Sequence, residues 1–505
     1  MKKIFVIFIL ALFLRFLYFP DNIYFGFDAA RDGFAVQEIL KGDIKIVGPS
    51  TSVPGLFHGV LYYYILSPLY FSGNLNPEFV SAALRIFNAL GIFLVYFIGS
   101  TIFERRVGFI GALIFASSFE QTQFAMYMGN PTLAVLSVLI LYTGLSMVIF
   151  RNNRFGLPLA SLGLGFSIQL QFALLYLCIP FVLIILIFRS YFVKLPIKIW
   201  SASLVVLFIS LSSFVLAEFK YGFRTINTLS SVGEAEKEIA NIFNTYFFTV
   251  FRMGSFNITG ELLPTGIVLI FLFFVFLILV KNKKYRKEMI FLGLWFFSIL
   301  TTFLMSGGIS NLNGNTPLYY PNVGVSIALI LFTSFLISSV YRFNKFVGII
   351  LILIILLGNF QLIQKFNPKG TISEITVQQG MLLSDEKKVL DYMYNDSDGH
   401  VFAVKGVTMP FYINTTWSYL FEWYGKKTYG YIPVWNGKNA EGFYGNLKVL
   451  EAQEDLPTLR YLIIEPVRGV PKYLIDEYLK EENYFTKVVD ERKIGEFVVQ
   501  KREKF

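Results

Sequence analysis

Residues 264–280 read PTGIVLIFLFFVFLILV, a run without a charged side chain and of about the length that an α-helix needs to cross a bilayer. Hydrophobic residues make up 55% of the chain and charged residues 15%, which no ordinary soluble protein shows. We therefore expect an α-helical polytopic membrane protein with about eleven transmembrane helices. The other apolar runs lie near 4–19, 80–102, 107–120, 131–150, 156–172, 173–190, 198–218, 289–305, 318–340 and 346–364.

Basic residues in the short connections predict the orientation of these helices. They cluster at 2–3, 105–106, 151–154, 189–198, 281–287 and 342–345. Positive charge favours the cytoplasmic side of a membrane, so we expect a multi-pass plasma-membrane protein with its N-terminus in the cytoplasm. The predicted extracytoplasmic segments are then 20–79, 121–130, 219–263 and 306–317.

An odd number of helices places residues 365–505 outside as well. Charged residues return there, and β-rich runs such as VFAVKGV (401–407) and YLIIEPV (461–467) alternate with polar helical stretches such as 473–482. We therefore predict a transmembrane domain over 1–364 and an extracytoplasmic α/β domain after it. The second domain is expected to help dock an acceptor.

Composition excludes two kinds of site. The single cysteine, Cys178, cannot form an intramolecular disulfide, and one cysteine with two histidines cannot make a Cys/His zinc site. The formal charge of +10 comes from short clusters between apolar runs rather than from one basic face. Nucleic acid is therefore not an expected partner.

The first outer segment opens with FGFDAARD, residues 25–32, directly after an apolar run. We expect an amphipathic helix over 29–40 on the membrane surface, with Asp28 as its N-cap and Asp32 one turn later on the same face. The alternative is purely structural, because Asp is a preferred N-cap and a second acid in the first turn complements the helix dipole.

Arg15 and Arg85 lie inside apolar runs near their outer ends, where positive charge is otherwise avoided. An arginine at mid-bilayer costs about 2.5–3.5 kcal/mol on insertion scales, so each is a functional candidate, with snorkelling to the interface as the alternative. Lys220, Arg224 and Arg252 add cations in the third outer segment. A lipid-linked phosphate suits this set, because its tail needs lipid and its phosphate needs cationic partners.

A family resemblance rests on the stretches GFDAARD (26–32), GLFHGVLYYYILSPLY (55–70), AALRIFNALG (82–91) and SSFEQTQFAMYMGNP (117–131). Over residues 1 to about 340, the chain resembles the GT-C membrane glycosyltransferases. The nearest branch is similar to the protein O-mannosyltransferase and aminoarabinose transferase group, the dolichyl-phosphate-mannose-protein mannosyltransferase-like proteins.

The resemblance implies transfer of a sugar from a polyprenyl-phosphate donor, with an acidic residue of the first outer loop at the active site. Asp28 stands at that position. The family's next residue, Glu, is Ala29 here, so Asp32 is the nearest substitute, and Asn130 stands where many relatives have a second acid. Glu120 is a candidate to replace the second acid that Asn130 does not supply. The alternative is that Glu120 is simply a charge at the membrane interface.

Four further residues are candidate substrate contacts. Tyr319 and Tyr320 resemble the family's aromatic segment over the lipid-phosphate cavity, and an aromatic belt at a helix end is the alternative. Arg31 lies in the acidic loop itself, and His58 lies in a loop expected to pack against the cavity. An ordinary interfacial histidine is an equal explanation of His58.

Such a transfer needs one base for the acceptor proton and cations that balance the leaving phosphate. We expect Asp28 to be that base or to orient the acceptor, with the arginines and the lysine named above on the phosphate and inversion at the sugar carbon. The acceptor is a protein, a lipid or a glycan, and membrane lipids surround the chain. No cofactor is required, although Asp28, Asp32 and phosphate oxygens would suit Mg²⁺ or Mn²⁺.

Three other functions stay open at this point. A transporter or flippase of lipid-linked sugars needs polar residues deep in several helices. The mid-helix positions here are overwhelmingly apolar, with Gln169 and Gln171 as the main exceptions. An O-antigen ligase or polymerase usually centres on a large outer loop late in the chain. A receptor-like or structural protein would work through residues 365–505.

Overall fold

The computed structural model describes residues 2–51, 55–232, 239–301, 319–376, 378–437, 440–466 and 470–505. The predicted segment 306–317 lies outside the described residues.

A helix lies in each predicted apolar run. The helices are α1 Lys2–Phe16, α2 Phe27–Leu40, α3 Leu61–Ser72, α4 Pro77–Ile102, α5 Arg105–Ser117, α6 Phe119–Met126, α7 Asn130–Arg151, α8 Gly156–Leu170, α9 Cys178–Ile187, α10 Arg189–Phe192, α11 Ile197–Lys220, α12 Arg224–Val232, α13 Ile239–Gly254, α14 Thr265–Lys281, α15 Arg286–Phe296, α16 Ser326–Phe343, α17 Lys345–Phe366, α18 Leu383–Ser397, α19 Thr415–Leu420, α20 Lys426–Tyr429 and α21 Lys472–Phe485.

Within the described ranges, five helices are long and apolar enough to cross a membrane, namely α4, α7, α11, α16 and α17. Shorter apolar helices lie at Gly156–Leu170, Phe172–Ile187 and Thr265–Lys281. A mostly helical, membrane-type fold is therefore confirmed. The count of about eleven crossings stays a prediction.

The predicted run 107–120 is interrupted at Ser118. Its hydroxyl accepts a hydrogen bond from the backbone N–H of Gln121 at 3.1 Å and so caps a separate short helix, α6. Every residue of α6 is buried. The segment predicted as an outer connection, 121–130, therefore begins as a helix packed among its neighbours rather than as an exposed loop.

The predicted break at Gln169 and Gln171 is present, and the first outer segment docks there. α8 ends at Leu170, Gln171 is extended, and a 3₁₀ turn runs from Phe172 to Leu177. The backbone N–H of Gly59 donates to the Gln169 carbonyl at 2.8 Å, and the N–H of Phe172 donates to His58 Nδ1 at 3.0 Å. These bonds satisfy backbone groups that the interrupted helix leaves free.

The last part of the chain contains a six-stranded mixed sheet of order β3-β2-β1-β4-β6-β5. The first four strands in sheet order pair in parallel, while β6 is antiparallel to both β4 and β5. Parallel pairing starts at Ala403, which faces Val434 on one side and Arg460 on the other. The strands are β1 Ala403–Val407, β2 Val434–Asn436, β3 Val449–Leu450, β4 Leu459–Ile464, β5 Thr486–Ile494 and β6 Phe497–Lys504.

Backbone hydrogen bonds attach this sheet-containing part to the segment just before α2. The N–H of Phe25 donates to the Met381 carbonyl at 3.0 Å, and the N–H of Leu383 donates to the Ile23 carbonyl at 2.9 Å. The Tyr419 hydroxyl adds a bond to the Leu75 carbonyl at 2.7 Å. The segment just before α2 and the connection between α3 and α4 are thus both bonded to the C-terminal part.

Candidate active site

α2 begins two residues earlier than predicted, and Asp28 is not its N-cap. Gly26 takes the cap position with an extended backbone (φ −119°, ψ −166°), and Asp28 is the second residue of the helix. An acid there still complements the positive end of the helix dipole. The correction places the Asp28 side chain on the helix itself, at a fixed spacing from Arg31 and Asp32.

Arg31 joins the two aspartates. Its Nη1 lies 2.7 Å from Asp28 Oδ1, while Nε and Nη2 donate to Asp32 Oδ1 at 2.9 and 2.8 Å. The side chain of Asp28 is 50% exposed and that of Asp32 only 2%. Asp28 is therefore the carboxylate that a bound molecule can reach, and Asp32 anchors Arg31 from inside.

Burial raises the pKa of Asp32 to about 7, because the loss of water outweighs the opposing pull of Arg31. Its Oδ2 atom is buried, and the Tyr63 hydroxyl lies close enough to lower the pKa of Asp32 by hydrogen bonding, against the effect of burial. Buried tyrosines, Tyr62, Tyr63 and Tyr70, lie close enough to interact with its charge. Asp32 lies on the same face of α2 as Asp28, as predicted, but it is buried, and its catalytic role stays a prediction.

A metal site at these aspartates does not fit the geometry. The position between the two carboxylates is taken by the Arg31 guanidinium. Within the ranges that the structure describes, no group of three or more His, Cys, Asp or Glu is placed to hold a metal ion.

The loop that carries His58 links Arg31 to Arg224. Arg31 Nη1 lies 3.5 Å from Ser50 Oγ, Ser50 pairs with Phe57, and Arg224 lies over the Phe57 ring with its Cζ 5.7 Å from the centroid. Arg224 is exposed. Two cations therefore flank the same loop.

His58 itself has a structural contact. Its Nδ1 accepts the Phe172 N–H, so the ring proton of the neutral form lies on Nε2. Burial, together with Arg31, lowers the pKa of His58 to about 3. Lys220 is exposed at the end of α11, with its ammonium 5.5 Å from the centroid of the Tyr221 ring.

Arg15 and Arg85 are buried and bonded to other helices. Arg15 Nε donates to Asn88 Oδ1 at 2.7 Å and its Nη1 to the Ala116 carbonyl at 3.0 Å. Arg85 donates to the Arg15 carbonyl at 2.7 Å and to Asn22 Oδ1 at 3.0 Å. With 1% and 0% exposure, neither side chain snorkels or reaches a headgroup, so the expectation of phosphate contacts is corrected to helix cross-linking.

Glu120 is the centre of a second buried network. Its Oε1 accepts from Ser326 Oγ at 2.6 Å, and its Oε2 accepts from the Tyr319 hydroxyl at 2.7 Å and from Asn257 Nδ2 at 2.6 Å. Glu120 is 1% exposed, so it joins segments rather than contacting substrate. Sequence reasoning missed the contacts of Asn257 and Ser326 with Glu120, because the residues are 137 and 206 positions away from it along the chain.

The remaining predicted site residues are Asn130, Arg252, Tyr319 and Tyr320, and their positions differ from that of the Asp28 cluster. Asn130 begins α7 and is buried. Arg252 pairs with Glu374 at 3.4 Å, and the Glu374 carbonyl accepts the Tyr319 N–H. Tyr320 lies in a 3₁₀ turn, and its side chain is outside the description.

Neither a protein-family profile nor a curated protein matches the sequence. ArnT from Cupriavidus metallidurans bound to undecaprenyl phosphate is 12% identical, with a TM-score of 0.62 over 98% of this chain and 97% of that chain. The Archaeoglobus fulgidus oligosaccharyltransferase tethered with an acceptor peptide is 12% identical, with a TM-score of 0.52 over 82% of this chain and 62% of that chain. At this identity the likeness shows the fold alone, and it confirms the expectation of a mostly helical, membrane-type architecture.

Replacement of Arg85 tests its structural role. Arg85→Ala leaves the Arg15 carbonyl and Asn22 without their donor, so we expect a loss of roughly 1–3 kcal/mol in the free energy of unfolding, seen as a lower melting temperature in detergent. Arg105→Ala, at an exposed arginine, is the matched control and should melt like the parent. An unchanged melting temperature for Arg85→Ala would contradict the cross-linking role.

The raised pKa of Asp32 predicts a pH dependence of stability. The folded state holds the proton up to about pH 7, whereas a free Asp releases it near pH 4, so this stabilisation is present below pH 4 and is lost as the pH rises to 7. Asp32→Asn should flatten the dependence of the melting temperature between pH 4 and 8, with a relative change of roughly 1–4 kcal/mol. Asp21→Asn, at an exposed acid of the same segment, should keep the parent's slope. Equal slopes in all three proteins would disprove the assignment.

Proposed function

We propose that this protein transfers a sugar from a polyprenyl-phosphate donor to an acceptor on the extracytoplasmic side of the plasma membrane. The observation that carries the proposal is the half-exposed Asp28 carboxylate, held 2.7 Å from Arg31 at the start of α2. The fold is similar to that of an ArnT structure with bound undecaprenyl phosphate. Within this class, the sequence resemblance favours the protein O-mannosyltransferase and aminoarabinose transferase group.

Asp28 has the exposure that a general base needs. In the proposed step, an acceptor hydroxyl oxygen attacks the anomeric carbon and its proton passes to Asp28. The bond between that carbon and the phosphate oxygen breaks at the same time, and the phosphate leaves with the electron pair. A single displacement of this kind inverts the configuration of the sugar carbon.

Cations around the first outer segment would balance the phosphate charge. Arg31 and Arg224 flank the loop of Ser50 and Phe57, and Lys220 lies at the adjoining end of α11. Charge-assisted bonds from such groups strengthen as negative charge builds on the leaving oxygen. We therefore move the proposed phosphate contacts from Arg15 and Arg85 to this set.

An apolar groove offers a place for the prenyl tail. Its volume is about 370 Å³, and α13, α14, α15 and α16 form its walls, with side chains such as Phe251, Phe276 and Phe332. Under the predicted topology its lining residues on α14, α15 and α16 lie near the middle of the membrane. Arg252 follows Phe251 in α13 and is a further candidate for the phosphate.

The buried polar side chains argue against a transporter. Gln169 Nε2 donates to Ser213 Oγ at 2.8 Å, and Arg15 and Glu120 are likewise bonded to neighbouring helices. Groups engaged in this way join helices instead of lining a path for a sugar. The proposal keeps residues 1–364 as the membrane domain and 365–505 as an extracytoplasmic domain.

Removal of the base tests the proposal. Purified protein is offered a panel of radiolabelled polyprenyl-phosphate sugars with a membrane extract as acceptor source, and Asp28→Asn should lower turnover by roughly 10²–10⁴-fold, because an amide cannot take a proton. Asp21→Asn is the matched control and should keep the parent's rate. Equal turnover by Asp28→Asn would remove the catalytic assignment, and no turnover by the parent with any donor would favour a transporter or a receptor.

A further inference from the structure

The loop formed by residues 440–447 of the C-terminal part lies against α2. The ring of Tyr444 stacks on that of Phe34, with centroids 5.9 Å apart, and its hydroxyl donates to Glu38 Oε2 at 3.0 Å. The Tyr444 carbonyl accepts a bond from Thr415 Oγ1 at 2.5 Å. The loop is therefore anchored on both of its sides.

Phe443, the neighbour of Tyr444, is left open to solvent. Its ring is 48% exposed, and its centroid lies 6.0 Å from that of Phe27 at an angle of 60°. The Arg31 Cζ lies 5.7 Å from the Phe27 centroid, and Arg31 pairs with Asp28. The rings of Phe443 and Phe27 thus lie next to the Arg31–Asp28 pair. Because the Phe443 ring is half exposed, packing in a core does not explain its position.

We propose that Phe27 and Phe443 form a platform for a pyranose ring of the acceptor, which places one of its hydroxyl groups at Asp28. This inference rests on the proposed function, since it names the acceptor class for the same site. A pyranose has an apolar C–H face that packs on an aromatic ring and a rim of hydroxyl groups that bond to a carboxylate. Both chemistries are present side by side here.

A peptide is a poorer match to the same surface. An extended peptide needs partners for its backbone N–H and C=O groups. The polar groups next to Phe443 are already paired, because the Tyr444 hydroxyl and the Lys45 ammonium both bond to Glu38, the latter at 2.6 Å. The geometry therefore favours a glycan over a peptide as the acceptor.

Saturation-transfer NMR on the purified full chain tests the platform without any turnover. The probes are methyl α-glycosides of mannose, glucose, galactose and N-acetylglucosamine, and a capped Ser-Thr-Ala peptide. We expect saturation of the ring C–H protons of at least one glycoside by the parent. Phe443→Ala should weaken that binding about threefold to tenfold, the usual effect of one aromatic contact.

Two further variants make the result specific. Phe443→Trp preserves a stacking surface and should restore binding, while Tyr473→Ala removes an exposed aromatic ring on α21 and should leave binding unchanged. No glycoside signal, a glycoside signal that Phe443→Ala does not alter, or a Phe443-dependent signal from the peptide alone would overturn the inference. A Phe443-dependent glycoside signal in a protein without transfer activity would overturn the proposed function instead.

Discussion

One guanidinium controls the geometry of the candidate site. Arg31 is shared between a half-exposed and a buried carboxylate, and it bonds the buried one through two of its nitrogens. A buried charge is tolerated only when hydrogen bonds and an opposite charge compensate for the lost water. Because Asp32 fixes Arg31, and Arg31 in turn contacts Asp28, the exposed carboxylate is oriented by a group inside the protein. A base that is held in place in this way loses little freedom when an acceptor arrives.

The same constraint explains the polar side chains within the helices. In lipid, each unpaired polar group costs several kcal/mol, so such groups bond to neighbouring helices. Arg15 joins α1 to α4 and α5, and Glu120 joins α6 to α16 and to Tyr319. Asn22, just after α1, accepts from Arg85 and donates to the Asn367 carbonyl at 3.1 Å. These bonds fix the segment that leads into α2, and they therefore determine where Asp28 emerges.

Local patterns predicted most of the helical architecture but few of the buried contacts. The apolar runs, the break at Gln169 and Gln171, and an acidic helix after α1 follow from neighbouring residues. The cap was misplaced because an aspartate at the cap and one in the first turn look alike in sequence, and only the extended backbone of Gly26 separates the two. Arg15 was recognisable as a charge among apolar residues, but its partner Asn88 is 73 positions away. A pairing over such a distance is a property of the folded chain.

The C-terminal part contributes to the site through both backbone and side chains. Residues Ile23 and Phe25 bond to Leu383 and Met381, so the approach to α2 is one side of a short antiparallel pairing between the two parts of the chain. The proposed donor contacts, Arg31 and Arg224, belong to the membrane helices and their connections, whereas Phe443 reaches the site from the other part. In the proposed arrangement, donor and acceptor contact different portions of the sequence. We expect a change in the loop that carries Phe443 to alter the acceptor side while the proposed phosphate contacts stay in place. Arg31 contacts Asp28, Asp32, Ser50 and Phe27, and Arg224 contacts Phe57, none of which belongs to that loop.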